Sequence, residues 1–303
     1  MKILLLGKDG QVGWELQRSL APLGDVVALG SSDREPFNGD LGAPEALAAT
    51  VRALAPQLIV NAAAYTAVDR AESERDAARL VNATSVGALA RAAKASDAWL
   101  VHYSTDYVFD GSGSAPWTEQ DRPAPLSVYG RSKLEGEELV RASGCRHLIF
   151  RTSWVYSARG VNFARTMLRL AREREALRVV DDQVGAPTGA ELLADITAHA
   201  ARTVLARTEL SGTYHAVAAG ETSWHGYAWH VVAIARDRDD ALRVAPEAIV
   251  AIPSSAYPQA APRPKNSRLD TTKLRDAFGL TLPDWRQGVE RMLNEILDRK
   301  DAA

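Results

Sequence analysis

Two residues with complementary acid–base chemistry stand four positions apart in the sequence, Tyr129 and Lys133. On a helix both side chains would lie on one face, one turn from each other. A lysine ammonium beside a phenol favours the phenolate and so lowers the tyrosine pKa towards neutral pH. Such a tyrosine can give its proton to a ketone oxygen while hydride reaches the carbon. The same spacing also arises by chance on solvated helix faces, so the surroundings must decide.

A polar cluster, Ser104, Thr105 and Asp106, follows the apolar run 99–103, which predicts a buried strand. In open α/β sheets, ligands bind at the carboxyl ends of the strands. We therefore expect the Thr105 hydroxyl to donate a hydrogen bond to the carbonyl oxygen that Tyr129 protonates, and so to polarise it. Ser104 is the alternative donor.

A glycine-rich turn lies between the first apolar run, 3–6, and a helical pattern at 11–20. Its spacing is G-x-x-G-x-x-G, with Gly7, Gly10 and Gly13. Glycine permits a sharp turn, close approach of the backbone to a pyrophosphate, and tight packing of helix on strand. The free N–H groups of the helix N-terminus then attract the anion. The motif predicts a dinucleotide site, although a structural glycine turn alone has the same pattern.

The segment after the second apolar run, 26–29, bears on which dinucleotide binds. NAD-specific sites usually place a carboxylate there, to bond the ribose 2′-hydroxyl. Gly30 stands at that position and Arg34 follows, which favours NADP or the use of both cofactors, unless Arg34 is simply a solvated charge. Asp40 either accepts from the adenine amino group or caps a helix, with Leu41 packed in the core.

The elements that must position these residues alternate along the first half of the chain. The predicted strands are 3–6, 26–29, 58–61, 99–103 and 147–152, and the predicted helices are 11–20, 44–54, 77–95 and 129–142. Alternation of this kind implies crossover connections and a parallel sheet. Because the strands are apolar throughout, helices should cover both faces. The expected fold class is therefore α/β, with a Rossmann-type doubly wound parallel sheet.

The second half is less regular and is expected to form a smaller, mixed substrate-binding domain. Predicted helices are 163–174, 190–205, 224–235, 271–278 and 285–297, with a strand at 213–217 and a proline-rich loop at 252–265. The pattern changes at residue 152, so we expect a cofactor-binding domain over 1–152 and a mainly substrate-binding domain over 153–303. Some helices of the second part should pack back on the sheet.

Bulk properties argue against several classes of partner. The 303 residues carry 36 basic and 38 acidic side chains, a formal net charge of −2, so no strong field is available to hold nucleic acid or an anionic membrane. No apolar run reaches the ~18 residues of a membrane span, and the first is too short for a signal peptide. With a single cysteine, Cys145, no intrachain disulfide can form. We expect a cytoplasmic protein without nucleic-acid or membrane partners.

The glycine turn, the polar strand end and the Tyr129/Lys133 helix together resemble the extended short-chain dehydrogenase/reductases. A more specific resemblance, to the dTDP-4-dehydrorhamnose reductase family, rests on motifs spread over both halves of the chain. These motifs lie at 61–69, 107–111, 151–156, 182–188 and 263–269.

This resemblance implies a reaction and a set of roles. The family reduces the C4 keto group of dTDP-4-dehydro-L-rhamnose to dTDP-L-rhamnose with NADPH or NADH. By this likeness Tyr129 donates the proton, Lys133 lowers its pKa and bonds the nicotinamide ribose, and Thr105 polarises the carbonyl. Besides Tyr129 and Lys133, the implied cofactor-binding residues are Gly7, Gly10, Gln11, Val12, Gly13, Asp40, Leu41, Ala64, Tyr65, Thr66 and Tyr103. Substrate contacts are implied for Thr105, Asp106, Tyr129 and Trp154, with core packing the alternative for Trp154.

The resemblance also implies a homodimer around a Mg²⁺ ion held by Glu15, Glu191 and Glu295, against the alternative of solvated glutamates. Tyr65 departs from the histidine that the family often has, which should change little. Gly30 stands where some members have aspartate, which argues against strict NADH use.

Three cations of the proline-rich region, Arg263, Lys265 and Arg268, either hold the substrate diphosphate or are solvated. Two other functions fit the same fold. An epimerase or dehydratase of nucleotide sugars would keep its NAD bound and regenerate it. A regulatory subunit of methionine adenosyltransferase would lack the acid–base role, whereas Tyr129, Lys133 and Thr105 are all present here.

Overall fold

The computed structural model describes the backbone of residues 1–301 and the side chains of residues 1–298. Residues 302 and 303 of the predicted second part lie outside the described residues. The strands within this range are β1 Lys2–Leu6, β2 Asp25–Leu29, β3 Leu58–Asn61, β4 Trp99–Thr105, β5 His147–Thr152, β6 Val155–Tyr156, β7 Leu177–Val180, β8 Val184–Gly185, β9 Thr188–Gly189, β10 Gly212–His215, β11 Thr222–Ser223 and β12 Ile249–Ile252.

The helices within this range connect and cover these strands. They are α1 Gln11–Leu20, α2 Pro44–Leu54, α3 Val68–Ala71, α4 Arg75–Arg79, α5 Ser85–Ala95, α6 Val128–Ser143, α7 Phe163–Glu173, α8 Ala190–Val204, α9 Trp224–Arg236, α10 Thr272–Phe278 and α11 Trp285–Asp301. In the described residues, no helix combines the length and apolar character needed to span a membrane.

Six parallel strands form the central sheet, in the order β10-β5-β4-β3-β1-β2. From β1 the chain first moves outward to β2 and then returns to the other side of β1 with β3, so the strand order reverses between β1 and β3. In doubly wound sheets the crevice at the carboxyl ends of such strands binds ligands. The fold class predicted from the sequence is confirmed.

Helices cover both faces of this sheet. Leu47, Leu89 and Val140 from α2, α5 and α6 pack against one face, while α1 and α8 cover the other. Helix α8 comes from the second half of the chain, and its Leu193 and Ala200 share a core with Leu16 and Leu20 of α1 and with the strands. The two halves therefore share one hydrophobic core on this face.

A separate core lies in the second half, among α7, α9 and α11. Met167, Tyr227, Val231 and Leu293 are buried in it. The parallel pair of β7 and β12 packs against α9. Neither strand was predicted from the sequence, because the two pair across about seventy residues and the end of β12 at Ile252 was assigned to the proline-rich loop.

Two of the predicted helices carry or face Tyr129 and Lys133. The predicted helix 129–142 corresponds to α6, which begins after Ser127, whose Oγ accepts from the N–H of Gly130 at 3.1 Å, and ends at Gly144 in the left-handed region. The predicted helix 77–95 is interrupted by a π-helical turn at Leu80–Thr84. This wider turn carries Asn82, whose side chain bonds Ser132 of α6 at 3.0 Å.

Candidate active site

The glycine turn after β1 needs its glycines for steric reasons. Gly7 has φ of 86°, in the left-handed region, and a Cβ there would lie 2.7 Å from the Ala63 nitrogen. A Cβ on Gly13 would lie 1.9 Å from the Gly7 carbonyl oxygen. The turn is thus pressed between α1 and the chain leaving β3. The result is a cradle of bare backbone at the carboxyl edge of the sheet, which fits a dinucleotide pyrophosphate.

The N-terminus of α1 opens into this cradle. Gly10 precedes the helix, no side chain caps it, and its first turn has no acidic residue. The backbone N–H groups of Gln11 and Val12 are therefore available to an anion. The Gln11 side chain turns away, and its Oε1 accepts hydrogen bonds from Ser157 Oγ and Asn162 Nδ2, both at 3.1 Å. This contact ties the second half of the chain to the cofactor loop.

A cleft of about 510 Å³ runs from this cradle along the edge of the sheet. The predicted cofactor-binding residues that line it are Gly7, Gly10, Gln11, Val12, Asp40, Leu41, Ala64, Tyr65, Thr66, Tyr103, Tyr129 and Lys133. Gly13 lies behind the turn and does not line the cleft. Tyr103 bonds the Thr197 hydroxyl of α8, and Tyr65 donates to Glu74 at 2.6 Å, so both rings are fixed from outside the cleft.

The end of the cleft next to β2 is rich in charge. Asp33 accepts from the backbone of Gly30 at 2.7 Å and from Lys8 Nζ at 2.6 Å. Arg34 reaches Asp40 Oδ2 at 3.0 Å rather than standing free. Each cation here already has a carboxylate partner, so this end of the cleft has no dedicated pair of free cations for a 2′-phosphate.

Tyr129 stands at the other end of the cleft, in the first turn of α6. Burial raises its pKa to about 12, the neighbouring Asp106 raises it too, and a hydrogen bond with the Thr105 side chain lowers it. The expected depression of this pKa by Lys133 is not found in this structure. A tyrosine in this state holds its proton at neutral pH, as a proton donor requires.

Lys133 lies one turn further along α6 and is fully buried. Its Nζ donates to the Tyr103 carbonyl oxygen at 2.6 Å and lies 3.4 Å from His102 Nε2. Burial lowers its pKa to about 8, while the charge of Glu137 raises it. The lysine therefore faces the backbone of β4 and an imidazole.

Thr105 and Asp106 form the polar end of β4. The Thr105 Oγ1 donates to Asp106 Oδ1 at 3.0 Å and accepts from the N–H of Tyr107 at 3.1 Å. Burial raises the pKa of Asp106 to about 7. The Ser267 hydroxyl lies close enough to this carboxyl to lower its pKa. The buried Oδ2 nevertheless has no partner with full hydrogen-bond geometry in the described part of the chain. Ser104, the alternative donor, lines the cofactor cleft.

A second cavity, of about 360 Å³, lies in the second half beside α7, β7 and α9. Aromatic and aliphatic side chains form its walls, and three arginines lie along it. The walls include Phe163, Met167, Leu177, Trp224 and Tyr257, and the arginines are Arg174, Arg178 and Arg263. Tyr107 also lines this cavity, and its ring packs edge-on against the Tyr129 ring at 5.8 Å. The two openings therefore approach each other where Tyr107 packs against Tyr129.

Comparison with known proteins identifies relatives of this arrangement. Residues 1–297 match the family model described as the RmlD substrate binding domain. The chain belongs to the RmlD substrate binding domain family. A dTDP-4-dehydrorhamnose reductase of Escherichia coli (strain K12) is 56% identical over 296 residues, 98% of each chain, and one of Burkholderia thailandensis is 52% identical over 303 residues, 99% of this chain and 100% of the other. The crystal structure of dTDP-4-dehydrorhamnose reductase from Bacillus anthracis in complex with NADP matches 97% of this chain and 99% of that one, with 34% identity and a TM-score of 0.85.

In this RmlD-family chain Trp154 has an unusual backbone and a covered face. Its φ is 48°, in the left-handed region that larger side chains rarely adopt. Its indole stacks on Trp224 with ring centroids 3.7 Å apart and planes 15° from parallel. Because Trp224 also forms a wall of the second cavity, Trp154 supports that wall, and its predicted substrate contact stays a prediction.

The predicted metal ligands find no support in the RmlD-family chain. Burial raises the pKa of Glu191, and the charges of Glu15 and Glu295 lie close enough to raise it further. Arg291 Nε lies 3.1 Å from Glu191 Oε2, so the positive charge beside this glutamate comes from an arginine. Among residues 1–298, no group of three histidine, cysteine or acidic side chains is arranged to hold a metal.

The three cations of the proline-rich region also have carboxylate partners. Arg263 pairs with Asp69 at 2.7 Å, Lys265 with Asp182 at 3.0 Å and Arg268 with Glu221 at 2.7 Å. Of the three, Arg263 alone is among the residues lining the second cavity. The structure thus brings one of them to a cavity and places the other two in ion pairs elsewhere.

Several residues of the site escaped the sequence analysis. Tyr107, Gln183, Arg174 and Arg178 line the second cavity, and His102 contacts Lys133. Tyr107 immediately follows the polar strand end and could have been found there. Arg174 immediately follows α7 and Arg178 lies in the short strand β7, so no local signal marked them.

Proposed function

We propose that this chain reduces the C4 keto group of dTDP-4-dehydro-L-rhamnose to dTDP-L-rhamnose at the expense of NADPH or NADH. The observation that carries the proposal is the position of Tyr129. It lines the cofactor cleft, hydrogen-bonds Thr105, and packs against Tyr107, which lines the second cavity. Tyr129 therefore lies in the cofactor cleft and packs against a wall residue of the second cavity, where it can protonate a substrate that reaches from that cavity towards the reductant.

The acid–base work follows from the local contacts. A bound nicotinamide would supply the hydride. Tyr129 is positioned to give its proton to the keto oxygen. Thr105 can donate a second hydrogen bond to that oxygen once its hydroxyl, which has a single proton, turns from Asp106 Oδ1 to the substrate. The unpartnered oxygen of Asp106 is suited to accept from a sugar hydroxyl, because a buried acceptor without a partner gains most from such a bond. Lys133 lies against the nicotinamide end of the cleft, where it can bond the ribose.

The second cavity is suited to the nucleoside diphosphate of the substrate. Phe163 and Trp224 offer flat apolar faces to a pyrimidine ring. Arg174 and Arg178 are exposed and, among the described residues, have no carboxylate ion pair. Free arginines beside an aromatic wall favour a phosphorylated, base-bearing ligand. Tyr107 leads from this cavity to Tyr129, where the sugar must lie.

Cofactor turnover tests the reaction directly. Purified protein is incubated with a limiting amount of the keto-sugar nucleotide and an excess of NADPH or NADH, and absorbance of the reduced cofactor is followed. We expect one cofactor oxidised per product molecule. Product formation without net cofactor oxidation would instead support an epimerase or dehydratase, and no product at all would leave the regulatory-subunit function.

The substrate cavity is tested separately by KM. Arg178→Ala and Arg174→Ala should each raise KM for the nucleotide sugar about tenfold, with little change in kcat. Arg169→Ala is the matched control, because Arg169 is an exposed arginine of α7 that pairs with Glu173. Equal effects of all three variants would remove the phosphate assignment.

The proposal also includes a cytoplasmic location and a homodimer. The dimer is checked by light scattering of the pure protein with and without a chelator. A monomer in both conditions would contradict it.

A further inference from the structure

A chain of polar side chains lies behind the catalytic lysine and is hidden from solvent. Asn61 of β3 and His102 of β4 are register partners in the sheet, and both are almost completely buried. Asn61 Nδ2 lies 3.2 Å from His102 Nδ1, and His102 Nε2 lies 3.4 Å from Lys133 Nζ. The imidazole therefore connects an amide to the lysine.

The direction of the hydrogen bonds in this chain follows from Ala63. Its backbone N–H donates to Asn61 Oδ1 at 3.2 Å, which fixes the orientation of the amide and turns its NH₂ group towards His102. Nδ1 of the imidazole must then be the acceptor. Burial, with Lys133 as a smaller cause, holds the pKa of His102 well below its ordinary value, so the ring is neutral. Its single proton consequently sits on Nε2, facing Lys133.

An imidazole N–H facing a lysine has different consequences for the two forms of the lysine. An ammonium has three donors and no lone pair, so it cannot accept this hydrogen bond. A neutral amine can accept it and can still donate to the Tyr103 carbonyl. We propose that Asn61 and His102 are positioning residues that disfavour the ammonium form of Lys133 and orient its lone pair, so that the lysine gives up a proton readily. The consequence for turnover rests on the proposed reductase function.

Other titratable groups around Lys133 must be set against this effect. On its own helix, Glu137 raises the lysine pKa, and Tyr129 holds its proton. From β4, Tyr103 offers only its backbone oxygen. From β5, Arg151 is bonded to Glu137 and neutralises it. His102 is thus the one imidazole or carboxyl group that directly contacts Nζ in the described residues.

Ala63 connects Asn61 and His102 to the wall of the cofactor cleft. Ala63 lines the cofactor cleft and its nitrogen packs against Gly7. The backbone of Ala63, in the wall of the cofactor cleft, therefore fixes the orientation of the Asn61 amide. The amide fixes the tautomer of His102, and this tautomer disfavours the ammonium form of Lys133. The three side chains in this series of contacts, Asn61, His102 and Lys133, are buried, and Ala63 is half-buried.

Nitrogen NMR on the wild-type protein tests the tautomer without any activity measurement. The protonated and the bare nitrogen of a neutral imidazole differ widely in chemical shift, and His102→Gln serves only to assign the signal. We expect a neutral ring with Nε2 protonated and Nδ1 bare at neutral pH. A bare Nε2, or a ring that carries both protons, would overturn the proposal, whether or not the chain proves to be a reductase.

Asn61→Asp tests the consequence for the lysine. Its carboxylate can still accept from Ala63 but must also accept from His102 Nδ1, which reverses the tautomer and lets Nε2 accept from the ammonium. The limb of the kcat/KM pH profile that reports Lys133 should move up by about one unit. Asn82→Asp is the control for a buried carboxylate, because Asn82 bonds Tyr65 and Ser132 rather than His102; its His102 tautomer should match the wild type. A reversed tautomer with an unmoved pH profile would remove the role assigned to the pair.

Discussion

Two neighbouring turns of α6 each bury an ionisable side chain, and they treat it in opposite ways. Glu137 is fully buried, and Arg151, itself buried, bonds both of its carboxylate oxygens at 2.9 and 2.7 Å. Arg141 adds a third bond at 3.0 Å. Lys133, one turn earlier, bonds a backbone oxygen and pairs with no carboxylate among the side chains of residues 1–298. The charge of Glu137 is therefore compensated by arginines, whereas the charge of Lys133 has no comparable direct partner among the described residues.

The pKa values of the two groups follow this difference. Burial is the largest single influence on Glu137 and would raise its pKa, but Arg151, together with Ser104 and Arg141, holds the pKa of this carboxyl below its ordinary 4.5. Burial lowers the pKa of Lys133 from 10.5 to about 8. A compensated pair fixes structure, whereas an uncompensated lysine is held where its proton can be moved at working pH. The contrast separates the charge of Glu137, which is paired within the fold, from the charge of Lys133, for which we propose a catalytic role.

Lys133→Met gives the largest expected effect. Removing the amine should lower kcat/KM about ten-thousandfold, because proton transfer and ribose binding are lost together. Steady-state kinetics with the nucleotide sugar measures this. A loss below tenfold would show that the uncompensated turn has no catalytic function.

Tyr129→Phe should lower kcat about a thousandfold while the dissociation constant for NADPH changes little. The phenyl ring keeps the packing against Tyr107, so the loss reports the hydroxyl. Fluorescence titration of the cofactor provides the control. An unchanged kcat would contradict the assignment of the proton donor.

Glu137→Gln should lower the free energy of unfolding by about 3 kcal/mol, since Arg151 is left buried without a counter-charge. Denaturant unfolding at neutral pH measures it. The double variant Glu137→Leu with Arg151→Met should recover most of the loss, because both charges are then gone. If the double variant is no more stable than the single one, the pair is not what stabilises this turn.

The two turns should also differ in the pH dependence of stability, with effects of about 1–2 kcal/mol. For Lys133 the folded pKa lies below the unfolded one, so the unfolded state binds more protons between pH 8 and 10.5 and wild-type stability rises there. Lys133→Met should therefore be more stable than wild type at pH 7 and lose this advantage by pH 10. For Glu137 the folded pKa also lies below the unfolded one, so its contribution is present above pH 4.5 and is lost as the pH falls further. The free energy of unfolding is measured for wild type and Lys133→Met at several pH values from 7 to 10. If the difference between the two proteins stays constant, the pKa of Lys133 is not lowered by folding.

The sequence was most informative where function depends on neighbouring residues. The glycine turn, the strand end at Thr105 and Asp106, and the pairing of Tyr129 with Lys133 are all local patterns. Hydrophobic runs bounded by turn residues also identified the six strands of the central sheet. Local patterns suffice for these features because backbone conformation and helical spacing are set within a few residues.

The features that the sequence did not reveal depend on residues far apart in the chain. The parallel pair of β7 and β12 joins segments about seventy residues apart. The ion pair of Arg263 with Asp69 spans 194 positions. It gives Arg263, which the sequence offered as a possible diphosphate ligand, a carboxylate partner within the protein. The same applies to the magnesium prediction, because Arg291 compensates Glu191 from a different helix.

By itself the sequence indicated the fold class, which follows from periodicity and turn chemistry, and its motifs resembled those of the family that the comparisons then identified. It also gave Tyr129, Lys133 and Thr105 as the predicted acid–base residues, and these roles stay predictions. Only the tertiary structure decided what surrounds them: that Lys133 is buried against His102, that Arg151 neutralises Glu137, and that a second cavity approaches the cofactor cleft at Tyr129. Burial and the distance to a partner charge set a pKa, and both arise only when segments distant in sequence pack together.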